Sequence, residues 1–108
     1  MNKASADRRK NWSVNLDDRL TALEVVLPKQ TYVLPWHQFM YAQGGDDEVH
    51  AVFAMHEVIV RGMGLTALLA DLAAQHVTLI QEPTRADRFQ SSGDRCIREV
   101  DVRQLESL

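Results

Sequence analysis

Four histidines, His37, His50, His56 and His76, are the side chains here best suited to holding a metal or moving a proton near neutral pH. If residues 49–60 run on as one strand, His50 and His56 share a face. His37 then approaches them across a hairpin, with Glu57 adjacent, giving three nitrogens and a carboxylate of the kinds zinc accepts. The spacing argues the other way. Metal motifs usually bring two ligands within about four residues of each other, and no pair of these histidines does so. The competing reading is single histidines satisfied by backbone or water, with His76 at the C-terminal end of a helix, where the dipole favours a cation.

Trp36-His37-Gln38-Phe39 follows Pro35 and places a bulky amphipathic ring, a titratable ring and an amide where the chain changes direction. Together with His56 and Phe89, Trp36 and His37 suit the lining of a ligand pocket or an anchor for a partner. Plain core or edge packing is the simpler account. Nucleophilic catalysis needs a Ser or Cys beside a base and an oxyanion hole. Cys96 has no glycine-rich elbow, and Ser91-Ser92 falls in a polar loop. Gly62-Met63-Gly64 precedes a helix and offers amides to a phosphate, yet the Lys and hydroxyl of a P-loop are missing, so a tight strand-to-helix turn fits better. The paired carboxylates Asp46-Asp47 and Asp17-Asp18 sit in a turn and a helix start, and both places have ordinary structural explanations. No catalytic residue or cofactor is assigned from these patterns; the candidate metal ligands are His37, His50 and His56.

The elements that must position these groups are organised around residues 48–82. Val49, Ala51, Phe53 and Met55 alternate with His50, Val52, Ala54 and His56, the period of two of a pleated strand. Both rows are largely apolar, which predicts cover on both faces. Val58-Ile59-Val60 continues the run with β-branched residues that favour a sheet. Residues 55–57 are either a bend in one long strand or the tip of a hairpin; they lack the Asn-Gly or Gly-Gly chemistry of a two-residue turn, which favours a bend or local bulge. After the glycines at 62 and 64 the period changes: Leu65, Leu68, Leu69, Leu72 and Ala73 form one stripe of a helix. Residues 77–81 read as a strand stopped by Pro83.

Upstream, Asn15 followed by Leu16, Asp17 and Asp18 reads as a capped helix start, with Leu20, Leu23 and Leu27 continuing its stripe and the helix ending near Glu24. Residues 31–34 and 39–42 read as strands, and Gly44-Gly45-Asp46-Asp47 as the turn of a hairpin that pairs residues 39–43 with 48–55. Residues 84–94 read as a loop pinned by Phe89, and residues 96–102 as a strand followed by a short helical end. Residues 1–13 are polar, include Arg8-Arg9-Lys10, and are expected to form a disordered tail, with Trp12 an oddity that folds back on the body.

The 108 residues, 45% apolar, suffice for one core and one domain, taken as residues 14–108. A net charge of −3 with dispersed acids and bases provides no basic field for nucleic acid. A single cysteine excludes an internal disulfide, and without an apolar leader or a long apolar span the expectation is a soluble cytoplasmic chain away from membranes. The predicted fold is α+β: a small antiparallel sheet of four to five strands with one central amphipathic helix packed on one face. The leading functional expectation is a noncatalytic interaction or regulatory module that forms a homo-oligomer, because the apolar surface is large for so small a chain. The alternatives are a small-ligand or metal-binding domain using Trp36, His37, His50 and His56, and a nucleic-acid-binding domain using the basic tail with Arg85, Arg88, Arg95 and Arg98.

Overall fold

Alternation of side chains builds the first sheet. In the computed structural model, which describes residues 12–15, 21–84 and 96–105, β5 (Glu48–Phe53) sends Val49, Ala51 and Phe53 into the core. Its neighbour β6 (His56–Met63) opposes them with Val58 and Val60, in the register Val49 to Val60 and Ala51 to Val58. The other row carries Glu48, His50, Glu57 and Arg61, with Val52 and Ile59 also buried among them. The inward row is buried in the core, whereas the outward row, predicted to be covered as well, is part-exposed at its charged side chains and buried only at Val52 and Ile59.

The predicted bend at residues 55–57 is instead a hairpin turn. Ala54-Met55 joins the two strands, and neither residue has the positive φ of the turns that hairpins favour. Tertiary hydrogen bonds hold the turn in place of local turn chemistry. The Ala54 amide donates to the Gln38 carbonyl and the Leu105 amide to the Met55 carbonyl, each at 2.9 Å. The hairpin on the other side of β5 is the predicted one. It joins β4 (Phe39–Gly44) to β5 through the glycine-bearing turn. Gly44 has φ +149°, and a Cβ there would lie 2.3 Å from the Glu48 carbonyl oxygen.

β8 (Cys96–Gln104) lines up along β6 and completes an antiparallel sheet of order β4-β5-β6-β8. At the bulge between Arg61 and Gly62 the two backbones approach so closely that a Cβ on residue 62 would meet the Cys96 carbonyl. Gly62 thus belongs to the strand. Only Gly64, with φ +66°, makes the strand-to-helix turn.

The second sheet contains β1 (Trp12–Val14), β2 (Ala22–Val26), β3 (Thr31–Pro35) and β7 (Val77–Gln81), in the order β1-β7-β2-β3. β2 and β7 run parallel; the other pairs are antiparallel. The helix predicted to reach Glu24 does not include Leu23, because Leu23 and Val25 alternate inward as strand residues, both at 0% exposure, and pair with Leu34 and Tyr32. The β-branched pair Val25-Val26 and this alternation outweigh the leucine spacing. Leu16 and Leu20 lie outside the described residues. Trp12 and Ser13, assigned by sequence to the tail, form part of β1, and Trp12 is buried in the core.

Helix α1 (Thr66–Ala73) connects β6 to β7 and packs against β4 and β5. Leu65, Leu68 and Leu72 are all at 0% exposure and Leu69 is partly buried, so the leucine stripe is the buried face. Each fully buried leucine contributes about 1.5–3 kcal/mol of gross transfer free energy. The fold is α+β with the helix packed on a sheet, as predicted, and its eight described strands divide between two sheets. One core cluster draws on both sheets and the helix. Among the described residues no helix is long and apolar enough to cross a membrane.

Candidate functional site

The hairpin register decides which histidines can meet. Phe53 and His56 flank the Ala54-Met55 turn, so His56 follows the inward row of Val58 and Val60, whereas His50 lies opposite Ile59 on the outward row. His50 and His56 are on opposite faces of the sheet. His56 is half-buried, with the Tyr32 ring edge-on at 5.7 Å. His37 is exposed on the 3-10 turn Trp36–Gln38. Among the described residues no three His, Cys, Asp or Glu side chains are arranged to hold a metal ion.

Of the residues proposed for a ligand, Trp36 turns into the core while its neighbour His37 turns to solvent. The Trp36 ring stacks at an angle on Phe39 and Phe53, with centroids 5.1 and 5.6 Å away, in a cluster closed by Phe39 and Phe53 at 5.4 Å. Its Nε1 is buried and has no hydrogen-bond partner among the described residues. Phe89 lies outside the described residues, as do Arg85, Arg88, Arg95 and the basic tail, while Arg98 is exposed on β8.

Where the sequence offered a phosphate site, the protein supplies its own anion. Asp46 Oδ2 accepts from the Gly64 amide at 3.3 Å and Oδ1 from the Thr66 hydroxyl at 3.1 Å, and the Asp46 carbonyl accepts from the Leu65 amide at 3.0 Å. One member of the Asp46-Asp47 pair therefore ties the β4-β5 turn to the residues that lead into α1.

The densest group of charged side chains sits on the outward face of the β4-β5-β6-β8 sheet. Glu48 and His50, two residues apart on β5, point the same way, and Glu57 on β6 is the next outward neighbour. His50 Nε2 lies 2.6 Å from Glu48 Oε2 and Nδ1 lies 2.7 Å from Glu57 Oε2. A carboxylate only accepts, so both ring nitrogens donate and the ring is an imidazolium. Its pKa is raised, first by the hydrogen bond to Glu57 and then by that to Glu48, against some desolvation. Glu48 is held below its ordinary value by the hydrogen bonds from His50 and then Arg61. Arg61 extends the row: Nε donates to Glu48 Oε1 at 3.1 Å and Nη1 to Glu99 Oε2 at 3.2 Å on β8. Arg103 stands 3.9 Å from Glu57. The arrangement binds a proton between two carboxylates and crosses three strands. Sequence reasoning noted His50 with Glu57 nearby but missed Glu48, Arg61, Glu99 and Arg103. The i, i+2 spacing of Glu48 and His50 was the available signal; the cross-strand partners depend on a register set by the unpredicted turn.

A second surface concerns the outer strands. Among the described residues the exposed large hydrophobic side chains are Val33, Met40, Tyr41 and Met55, at 60, 63, 49 and 39%. Val33 is on β3 and Met40 and Tyr41 are on β4, which are the outer strands of their respective sheets. A bulge at Met40 leaves Tyr41 to Gly44 as the regular edge. No family model, curated protein or solved structure matches this chain.

Proposed function

We propose that this protein is a noncatalytic interaction module that works as a homo-oligomer. The observation that carries the reading is the placement of Val33, Met40 and Tyr41 on β3 and β4, outer strands of the two sheets that follow each other in the chain. An exposed apolar group next to a strand with unused backbone donors and acceptors is favourable to cover, and a second copy of the same chain is always at hand. The charged groups support the same reading, since His50, Glu48, Glu57 and Arg61 satisfy one another and Asp46 is bonded to Gly64 and Thr66. The test is sedimentation velocity over a wide concentration range. The sedimentation coefficient is expected to rise with concentration in the native chain and to stay at the single-chain value when Tyr41 and Met40 are both replaced by Lys. A single-chain value at every concentration of the native protein would overturn the reading.

A further inference from the structure

We infer that β4 pairs antiparallel with β4 of a second copy across a two-fold axis, joining two four-stranded sheets into one of eight. This rests on the self-association proposed above and specifies its surface and register. Four described strands lie at sheet edges: β1, β3, β4 and β8. β1 has only three residues, and β3 ends in Pro35, which has no amide to donate. β8 carries Arg98, Glu99, Asp101 and Arg103, and its Val100 amide already donates to Glu82 Oε2 at 3.1 Å. These are the usual ways of protecting an edge. β4, Phe39-Met40-Tyr41-Ala42-Gln43-Gly44, contains no ionisable group other than the Tyr41 phenol and no proline. Beyond its ladder with β5, no hydrogen bond among the described residues engages Met40 to Gln43.

Hydrogen-bonding complementarity between the two ends of β4 points to a second copy as the occupant. His37 precedes β4 and Asp46-Asp47 follow it, and His37 and Asp47 are exposed. An antiparallel pair brings the imidazole end of each copy to the carboxylate end of the other, twice, by symmetry, whereas a parallel pair would set carboxylate against carboxylate. Facing residues of an antiparallel pair lie on one side of the sheet. Tyr41 and Gln43 both lie on the outward side, opposite Val52 and His50, and Ala42 on the inward side, opposite Ala51. A pair centred on Ala42 therefore puts Tyr41 of one copy against Gln43 of the other.

Two double variants at these exposed positions test the register. Tyr41→Lys with Gln43→Lys sets like charges across the pair, and Tyr41→Lys with Gln43→Glu sets opposite ones. The expected result is association weakened roughly tenfold or more in the same-sign variant relative to the opposite-sign variant, with thermal melts showing both folded, and native-like association for Val33→Lys, which marks β3. Equal association of the two double variants, or loss of association on Val33→Lys alone, overturns β4 pairing while leaving self-association standing. A native chain that stays single at every concentration overturns both.

Discussion

His50 is held between two carboxylates, those of Glu48 and Glu57. Its two hydrogen bonds require the protonated ring, and its pKa is raised in the folded state. Such a group contributes stability that is fully present below its unfolded pKa, about 6.5, and lost as pH rises through the raised folded value. Glu48, with a lowered pKa, works in the opposite sense, its contribution vanishing as pH falls through the acid range. The melting temperature is therefore expected to fall as pH rises above about 6.5. In His50→Gln that slope should flatten, and Glu57→Gln should reduce it in part. A slope unchanged in His50→Gln would show that the ring carries no such proton. At this scale the sequence set Glu57 near His50, as part of a metal site, and left out Glu48, Arg61, Glu99 and Arg103. A strand places Glu48 beside His50 whatever else happens, whereas Glu57 arrives only when residues 54 and 55 reverse the chain.

Individual elements were legible where period and local chemistry agreed. Helix α1 and β7 follow from the leucine stripe and the Val77 run, and the Gly44 hairpin follows from its turn residues. The turn at Ala54-Met55 was illegible because its stabilising hydrogen bonds come from Gln38 and Leu105, remote in sequence. β2 was misread because Leu20, Leu23 and Leu27 satisfy helical spacing while Leu23 and Val25 satisfy strand alternation, and only packing decides between them. Leu68→Ala should cost about 2–5 kcal/mol in chemical denaturation, since it opens space under a helix that packs on β4 and β5. A cost under about 1 kcal/mol would mean that the stripe is not core. Gly62→Ala drives a Cβ to 2.0 Å from the Cys96 carbonyl, so β6 and β8 must separate locally. A loss of about 1–3 kcal/mol is expected, with faster exchange of β8 amides. Unchanged β8 exchange would contradict the close approach.

For the whole molecule, the two sheets and α1 share a single core, and Trp12 ties β1 to that helix through Nε1 donating to Asp71 Oδ2 at 3.0 Å. The interior is thus accounted for by one chain. Among the described residues β4 lies at the margin of its sheet, and Met40 and Tyr41 are exposed on it. Amide hydrogen exchange of Met40 to Gln43, followed as the protein is diluted, tests this account most directly. Pairing with β5 engages alternate amides of this stretch at any concentration; the others, which face the open edge, are expected to be protected at high concentration and to lose that protection on dilution, while the Val58 to Val60 amides stay protected throughout. Fast exchange of those edge-facing amides at every concentration would contradict it.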